Sequence, residues 1–180
     1  MSTIKLHDLN FKPFLDKEEI NNIVQKLALE VAKDCKGETP LFIGILNGSF
    51  MFVSDFAKAY KGNCKISFVK LASYEGTSST EKVKQLVGLS ENIEGRTVVI
   101  LEDIIDTGNT LQEIFNIFKD KKVKQLKIAT LFFKPDVFKK ELHIDYIGKS
   151  IPDKFIVGYG LDYDGLGRNL PEIYQLTTTQ

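Results

Sequence analysis

Residues 98–111 read Val-Val-Ile-Leu-Glu-Asp-Ile-Ile-Asp-Thr-Gly-Asn-Thr-Leu. The opening apolar run has the length and composition of a strand buried on both faces of a sheet. It passes through two acidic residues, Glu102 and Asp103. A short loop of Asp106, Thr107, Gly108, Asn109 and Thr110 follows, and Leu111 opens an amphipathic helix. The pattern is strand, loop, helix. At such a helix start the backbone N–H groups lack intrahelical partners, and the dipole gathers about half a positive charge there. Small hydroxyl residues and glycine at that point make a seat for phosphate. Carboxylates just before it would repel a bare phosphate, so the stretch reads as a site for a phosphorylated sugar whose hydroxyls the acids accept.

The same alternation runs through the rest of the chain. Asp16 with Glu19 three residues on forms a capping box, and Ile20, Ile23, Val24, Leu27 and Val31 recur at helical spacing. Gly37 and Pro40 end that helix. Strands are expected at residues 41–46, 65–71, 97–101 and 125–133, with helices over 50–60 and from Leu111 to about residue 119. Strands alternating with helices, each strand apolar on both faces, indicate a central parallel sheet flanked by helices. Ligands of such sheets sit beyond the carboxyl ends of the strands. Loops 47–49 and 103–110 and the region after Lys134 fall there. Residues 152–160 and 172–176 read as short extra strands of a small mixed hood. Residues 73–90 are polar without an apolar period, as in a surface loop or a lid. At 180 residues the chain is read as a single domain, with a core over about 15–135 and a hood from the N-terminal segment and about 136–180.

Composition removes several alternatives. Twenty-four basic residues balance twenty-four acidic ones, which argues against a generic polyanion binder. No apolar run approaches the ~18 residues of a membrane span, and residues 1–10 lack a secretion signal's layout. Cys35 and Cys64 show neither CxxC nor Cys/His spacing, so they read as reduced thiols of a cytoplasmic protein.

Taken alone, residues 103–110 could be a plain turn with Asp106 as a helix N-cap. Two carboxylates closing an apolar strand repel each other, however, and a purely structural sheet end gains nothing from them. A diol would use both as acceptors, and a divalent cation would screen them.

Glu102-Asp103-Ile104-Ile105-Asp106-Thr107-Gly108-Asn109-Thr110 closely resembles the phosphoribosyl-pyrophosphate motif of type I phosphoribosyltransferases, most of all their hypoxanthine-guanine branch. Leu46-Asn47-Gly48-Ser49 resembles that branch's pyrophosphate loop, Ser73-Tyr74 its flexible lid and Lys134 its purine-reading lysine. The run from Ile151 through Lys154, Phe155, Ile156 and Asp162 to Tyr163, followed by Arg168, resembles its hood. The matches extend in order from about residue 40 to 170.

The resemblance implies the type I phosphoribosyltransferase fold and a Mg²⁺-dependent reaction. A 6-oxopurine and phosphoribosyl pyrophosphate would give a nucleoside monophosphate and diphosphate, by way of an oxocarbenium-like state. It assigns Asp106 as general base at purine N7 and residues 107–110 as donors to the 5′-phosphate, with Ile105 beside them. Glu102 and Asp103 become ribose acids, directly or through the metal, and Asp162 a further metal carboxylate. Arg168 clamps pyrophosphate, Phe155 stacks on the purine and Lys134 donates to O6. Main-chain groups at residues 154–156, with Asp162, read the base's exocyclic position. Ser73 and Tyr74 close over the reacting bond. In the loop at Leu46, Asn47 and Gly48 a non-proline cis peptide turns an N–H toward pyrophosphate. Asn47 departs from a pattern that has lysine there, which puts any charge or inter-subunit role of that lysine in doubt. The branch also implies a homodimer or homotetramer, and no nucleic-acid or membrane partner is expected. Xanthine or guanine preference is the rival within the enzyme class. The rival outside it is a nucleic-acid-binding regulator, which would be expected to add a basic face.

Overall fold

Asp16 starts the first long helix as expected. Its carboxylate accepts the Glu19 N–H at 2.8 Å, and the Glu19 side chain accepts the Asp16 N–H at 3.3 Å. Losing such a cap typically costs about 1 kcal/mol. The computed structural model describes residues 2–72, 84–87 and 92–177. In chain order the elements are β1 (Ile4–Leu6), β2 (Leu9–Leu15), α1 (Lys17–Asp34), β3 (Leu41–Leu46), α2 (Phe50–Ala59), β4 (Lys65–Ala72) and β5 (Lys84–Val87). They continue with β6 (Thr97–Ile105), α3 (Asn109–Phe118), β7 (Gln125–Phe133), β8 (Tyr146–Ser150), β9 (Ile156–Val157) and β10 (Ile173–Leu176).

The larger sheet has the order β5-β4-β3-β6-β7-β8, with β4 through β8 otherwise parallel and β5 antiparallel on the β4 edge. Because side chains alternate along a strand, each central strand feeds two cores. Phe42, Val99, Leu101, Ala129 and Leu131 pack with α1 and α2. Leu41, Ile43, Val98, Ile100 and Ile128 pack with Leu111, Ile114 and Phe118 of α3. The helices therefore cover opposite faces of one sheet. No helix among the described residues is long and apolar enough to cross a membrane.

The smaller sheet, β1-β2-β10-β9, closes a third core around Phe11, Val157 and Tyr174. Every pair in it is antiparallel. It is thus an antiparallel hood rather than the mixed one expected. β8 lies within the stretch assigned to the hood, yet it pairs in parallel with β7 from Ala129↔Tyr146 to Phe133↔Ser150. The central sheet accordingly reaches past residue 135. Its Tyr-Ile-Gly-Lys-Ser sequence carries little apolar signal, and the open edge of β7 decides its place.

Candidate active site

The strand order reverses between β3 and β6. From β3 the chain proceeds through α2 to β4 on one side, and from β6 through α3 to β7 on the other. Such a reversal leaves a crevice at the carboxyl ends of the two strands. Here β3 and β6 pair only as far as Gly44↔Leu101. Beyond that point β3 stays with β4 to Leu46↔Lys70, and β6 stays with β7 to Ile105↔Phe133. Loops 47–49 and 106–108 flank the opening.

The acidic pair sits inside β6, three and two residues before its end at Ile105, because β7 prolongs the strand after β3 has left it. Alternation slips by one residue across the pair: Leu101 and Ile104 pack into the α1 side, Ile100 and Ile105 into the α3 side. Both acids are buried. Among the described residues, Glu102 Oε2 has no hydrogen-bond partner. Burial, then the charges of Asp103 and Asp106, push its carboxyl well above the usual range. Burial pushes Asp103 up to about 6, against the backbone N–H groups of Ile104 and Asp103 and the charge of Arg168.

An unfolded aspartate titrates near 3.9, so between about pH 4 and 6 the native state binds more protons, and stability falls as pH rises through that window. Two pH units correspond to roughly 3 kcal/mol. Melting curves in EDTA should show Asp103→Asn gaining on the wild type as pH climbs from 4 to 7. A pH-independent difference would contradict the account.

The peptide between Leu46 and Asn47 is cis, as the resemblance implied. Gly48 then passes so close to Asp103 that a Cβ there would lie 1.7 Å from Oδ2. A Cβ on Gly160 of the hood would in turn lie 2.0 Å from the Gly48 carbonyl oxygen. The loop is thus held between the acid of β6 and the hood. Asn47 is exposed and does not cap α2. That place belongs to Ser49, whose buried hydroxyl donates to the Ile45 carbonyl at 2.7 Å.

Asp106 is not a helix cap either. Gly108, at φ 83°, is the N-cap of α3 and supplies no side-chain cap bond. The helix begins at Asn109, two residues before the expected Leu111. Asp106 accepts the Thr107 N–H at 2.5 Å and the Thr107 hydroxyl at 3.3 Å. Asp106, Thr107, Asn109 and Thr110 are exposed, while Gly108 is buried. Donors at this helix start therefore face outward, beside buried carboxylates.

On the hood side, Lys134 is buried rather than a surface lysine. Its N–H donates to the Ile105 carbonyl at 2.9 Å and its Nζ to Asp153 Oδ1 at 3.1 Å. Phe155 is 44% exposed, although apolar sequence around it suggests core. Its ring lies 6.3 Å from that of Phe11 and 5.9 Å from that of Tyr163, the latter edge-on. Lys154 is exposed, and Ile156 is buried at the start of β9. Arg168 is held by two groups, Asp162 Oδ1 at 2.7 Å and the Gly160 carbonyl at 2.7 Å. Asp162 Oδ2 accepts the Gly165 N–H at 2.8 Å.

Asp103, Gly48, Gly160, Arg168 and Asp162 consequently form one chain of contacts across the crevice, and Lys134 with Asp153 forms a second group. Ser73 and Tyr74 lie outside the described residues. Among the described residues, no three His, Cys, Asp or Glu side chains converge as a metal site. Asp162 is engaged by Arg168 and Gly165 instead of turning toward Glu102. Sequence reasoning gave no role to Asp153, Gly160 or Tyr159, whose hydroxyl donates to Asp55 of α2 at 2.7 Å. The one local sign was the Gly-Tyr-Gly run at 158–160, where all three residues have positive φ.

The phosphoribosyl transferase domain model matches residues 12–164. A hypoxanthine-guanine phosphoribosyltransferase of Staphylococcus aureus is 44% identical over 160 residues, covering 88% of this chain and 89% of that protein. A crystal structure of a hypoxanthine-guanine phosphoribosyltransferase from Bacillus anthracis superposes with a TM-score of 0.86 at 40% identity, over 92% of this chain and 98% of that one. A Trypanosoma cruzi hypoxanthine phosphoribosyltransferase in a ternary substrates complex gives 0.86 at 32% identity, over 93% and 95% of the two chains. The chain belongs to the phosphoribosyl transferase family.

Proposed function

We propose that the chain is a purine-salvage enzyme that moves the phosphoribosyl group of phosphoribosyl pyrophosphate onto hypoxanthine, with guanine as a second acceptor, and releases diphosphate. What carries the reading is the convergence on the β3/β6 crevice of an outward-facing helix start, two buried acids and the Gly48–Arg168 wall. Thr107, Gly108, Asn109 and Thr110, with Ile105 behind them, seat the 5′-phosphate. Glu102 and Asp103 accept from the ribose hydroxyls. The unpartnered Glu102 Oε2 supports that role, since a buried acceptor without a donor is costly unless a ligand supplies one. Asp106 takes the proton from purine N7 as the base attacks the anomeric carbon. Leu46, Asn47 and Gly48 offer backbone groups to the departing diphosphate, and Arg168 binds it with its fork of N–H donors. Ser73 and Tyr74 cover the reacting bond and keep water from it.

Base recognition falls to Lys134, Lys154, Phe155, Ile156 and Asp162. Lys134 donates to O6, which a 6-oxopurine accepts and adenine's amino group does not. Phe155, 44% exposed and steadied by ring contacts with Phe11 and Tyr163, stacks on the purine. Carboxylates suit Mg²⁺, and buried acids pushed toward protonation are the kind of donor a cation would recharge. Glu102, Asp103 and Asp162 are the residues that would hold it, Asp162 by sharing its carboxylate with Arg168. When bound, Mg²⁺ would supply charge neutralisation for the diphosphate. The free thiols of Cys35 and Cys64 accord with a cytoplasmic setting, and the family resemblance supports a homodimer or homotetramer.

The purified protein should be incubated with phosphoribosyl pyrophosphate, Mg²⁺ and hypoxanthine, guanine, xanthine or adenine in turn. Monophosphate should form fastest with hypoxanthine or guanine. No turnover with any base would end the enzyme reading, and adenine as best substrate would end the role given to Lys134. Arg168→Ala should raise the KM for phosphoribosyl pyrophosphate by about 10–100-fold, the worth of charged hydrogen bonds, with little change for hypoxanthine. Equal losses for both would count against the clamp.

A further inference from the structure

The Lys134–Asp153 contact does more than bury a lysine. Among the described residues, Asp153 is the only hydrogen-bond partner of Lys134 Nζ, at 3.1 Å. The lysine side chain is 11% exposed, and that of Asp153 is 54% exposed. The contact spans from the end of β7 to the hood segment that carries Phe155 two residues later. An ammonium has three donors set at tetrahedral angles. With one fixed on Asp153, the other two are confined to a narrow cone rather than free to swing.

We infer that Asp153 is a positioning residue that aims the Lys134 ammonium at the purine's 6-position and so sets the preference for 6-oxo over 6-amino bases. The inference rests on the role given to Lys134 above. The pair also ties the O6 donor to the hood segment bearing the stacking ring, so donor and ring are held at one spacing. Rejection of a 6-amino base depends on that fixation. A donor facing an amino group is unfavourable only while the donor cannot turn aside, and a lysine freed from Asp153 turns about its terminal bonds. The carboxylate end of the pair is exposed, and asparagine keeps an acceptor oxygen for the buried ammonium, so the substitution should cost folding little. The effect of losing it belongs to recognition.

The test compares wild type, Asp153→Asn and Asp153→Glu at saturating phosphoribosyl pyrophosphate and Mg²⁺, with hypoxanthine, guanine and adenine as acceptors. Asp153→Asn should raise KM for hypoxanthine and guanine by about tenfold, in line with a weakened charged hydrogen bond. The hypoxanthine-to-adenine ratio of kcat/KM should fall by at least about tenfold, and KM for phosphoribosyl pyrophosphate should stay within about twofold. Asp153→Glu should restore most of the discrimination. The melting temperature of Asp153→Asn should remain within about 3 °C of the wild type. Unchanged base KM and ratio, or a uniform loss across all substrates, would overturn the inference. A wild type inactive with every base would instead reject the enzymatic reading itself.

Discussion

Asp106→Asn is expected to lower kcat by about 10²–10⁴-fold, the range of a positioned proton acceptor. Asparagine keeps the size of the side chain and the oxygen that accepts the Thr107 N–H, so the loop from Asp106 to Gly108 should hold its shape. What disappears is the basicity proposed to take the proton from the attacking purine. Affinity for phosphoribosyl pyrophosphate, measured calorimetrically with Mg²⁺, should therefore stay within about threefold of the wild type. Single-turnover rates would locate the loss in the chemical step. A variant that turns over normally removes Asp106 from the mechanism. One that loses binding and turnover together makes it a structural residue.

Gly48→Ala should be nearly as damaging, for a reason of space alone. Its new methyl would start 1.7 Å from a carboxylate oxygen of Asp103, and the loop has no room to retreat because the hood backbone at Gly160 closes the other side. Overpacking of this kind costs about 1–3 kcal/mol, or a fall in melting temperature of about 2–12 °C for a chain of this size. A displacement of about 1 Å in a positioned group can cost 10²-fold in rate, and a loss of that order in kcat/KM is expected. The double variant Gly48→Ala/Asp103→Ala isolates the cause. If the collision dominates, the glycine substitution should destabilise far less in the Asp103→Ala background than in the wild type. Strictly additive effects would refute it.

The elements carried by local pattern were legible without coordinates. The capping box at Asp16 and the apolar runs of β3 and β7 gave those elements their bounds, since nothing distant opposes them. β6 outran its apolar stretch because pairing with β7 outweighs the unfavourable placement of two acids, a tertiary effect with no local sign. β8 escaped notice for the same reason. In the site, the phosphate seat and its acids could be read from one stretch of chain because strand, loop and helix deliver them together. The specific roles came from resemblance to a family, not from spacing. Asp153 and Gly160 stayed hidden: each matters through a contact with a residue far along the chain, Lys134 and Gly48, and neither lies in a periodic element that would announce it.

The parting of β3 from β6 has a mechanical consequence. One βαβ unit carries the loop at Gly48, and the other carries the acids, the loop at Asp106 and Lys134. Among the described residues, the two units are laced together along the sheet only by the register Leu41↔Val98, Phe42↔Val99, Ile43↔Ile100 and Gly44↔Leu101. These residues lie deep in the molecule, and none of them is a group proposed to touch a substrate. Sliding one unit past the other by a fraction of an ångström would change the distance from leaving group to nucleophile without moving any side chain relative to its own strand. Under the proposed reaction, alignment would depend on the middle of the sheet, on how tightly those aliphatic and aromatic side chains resist shear.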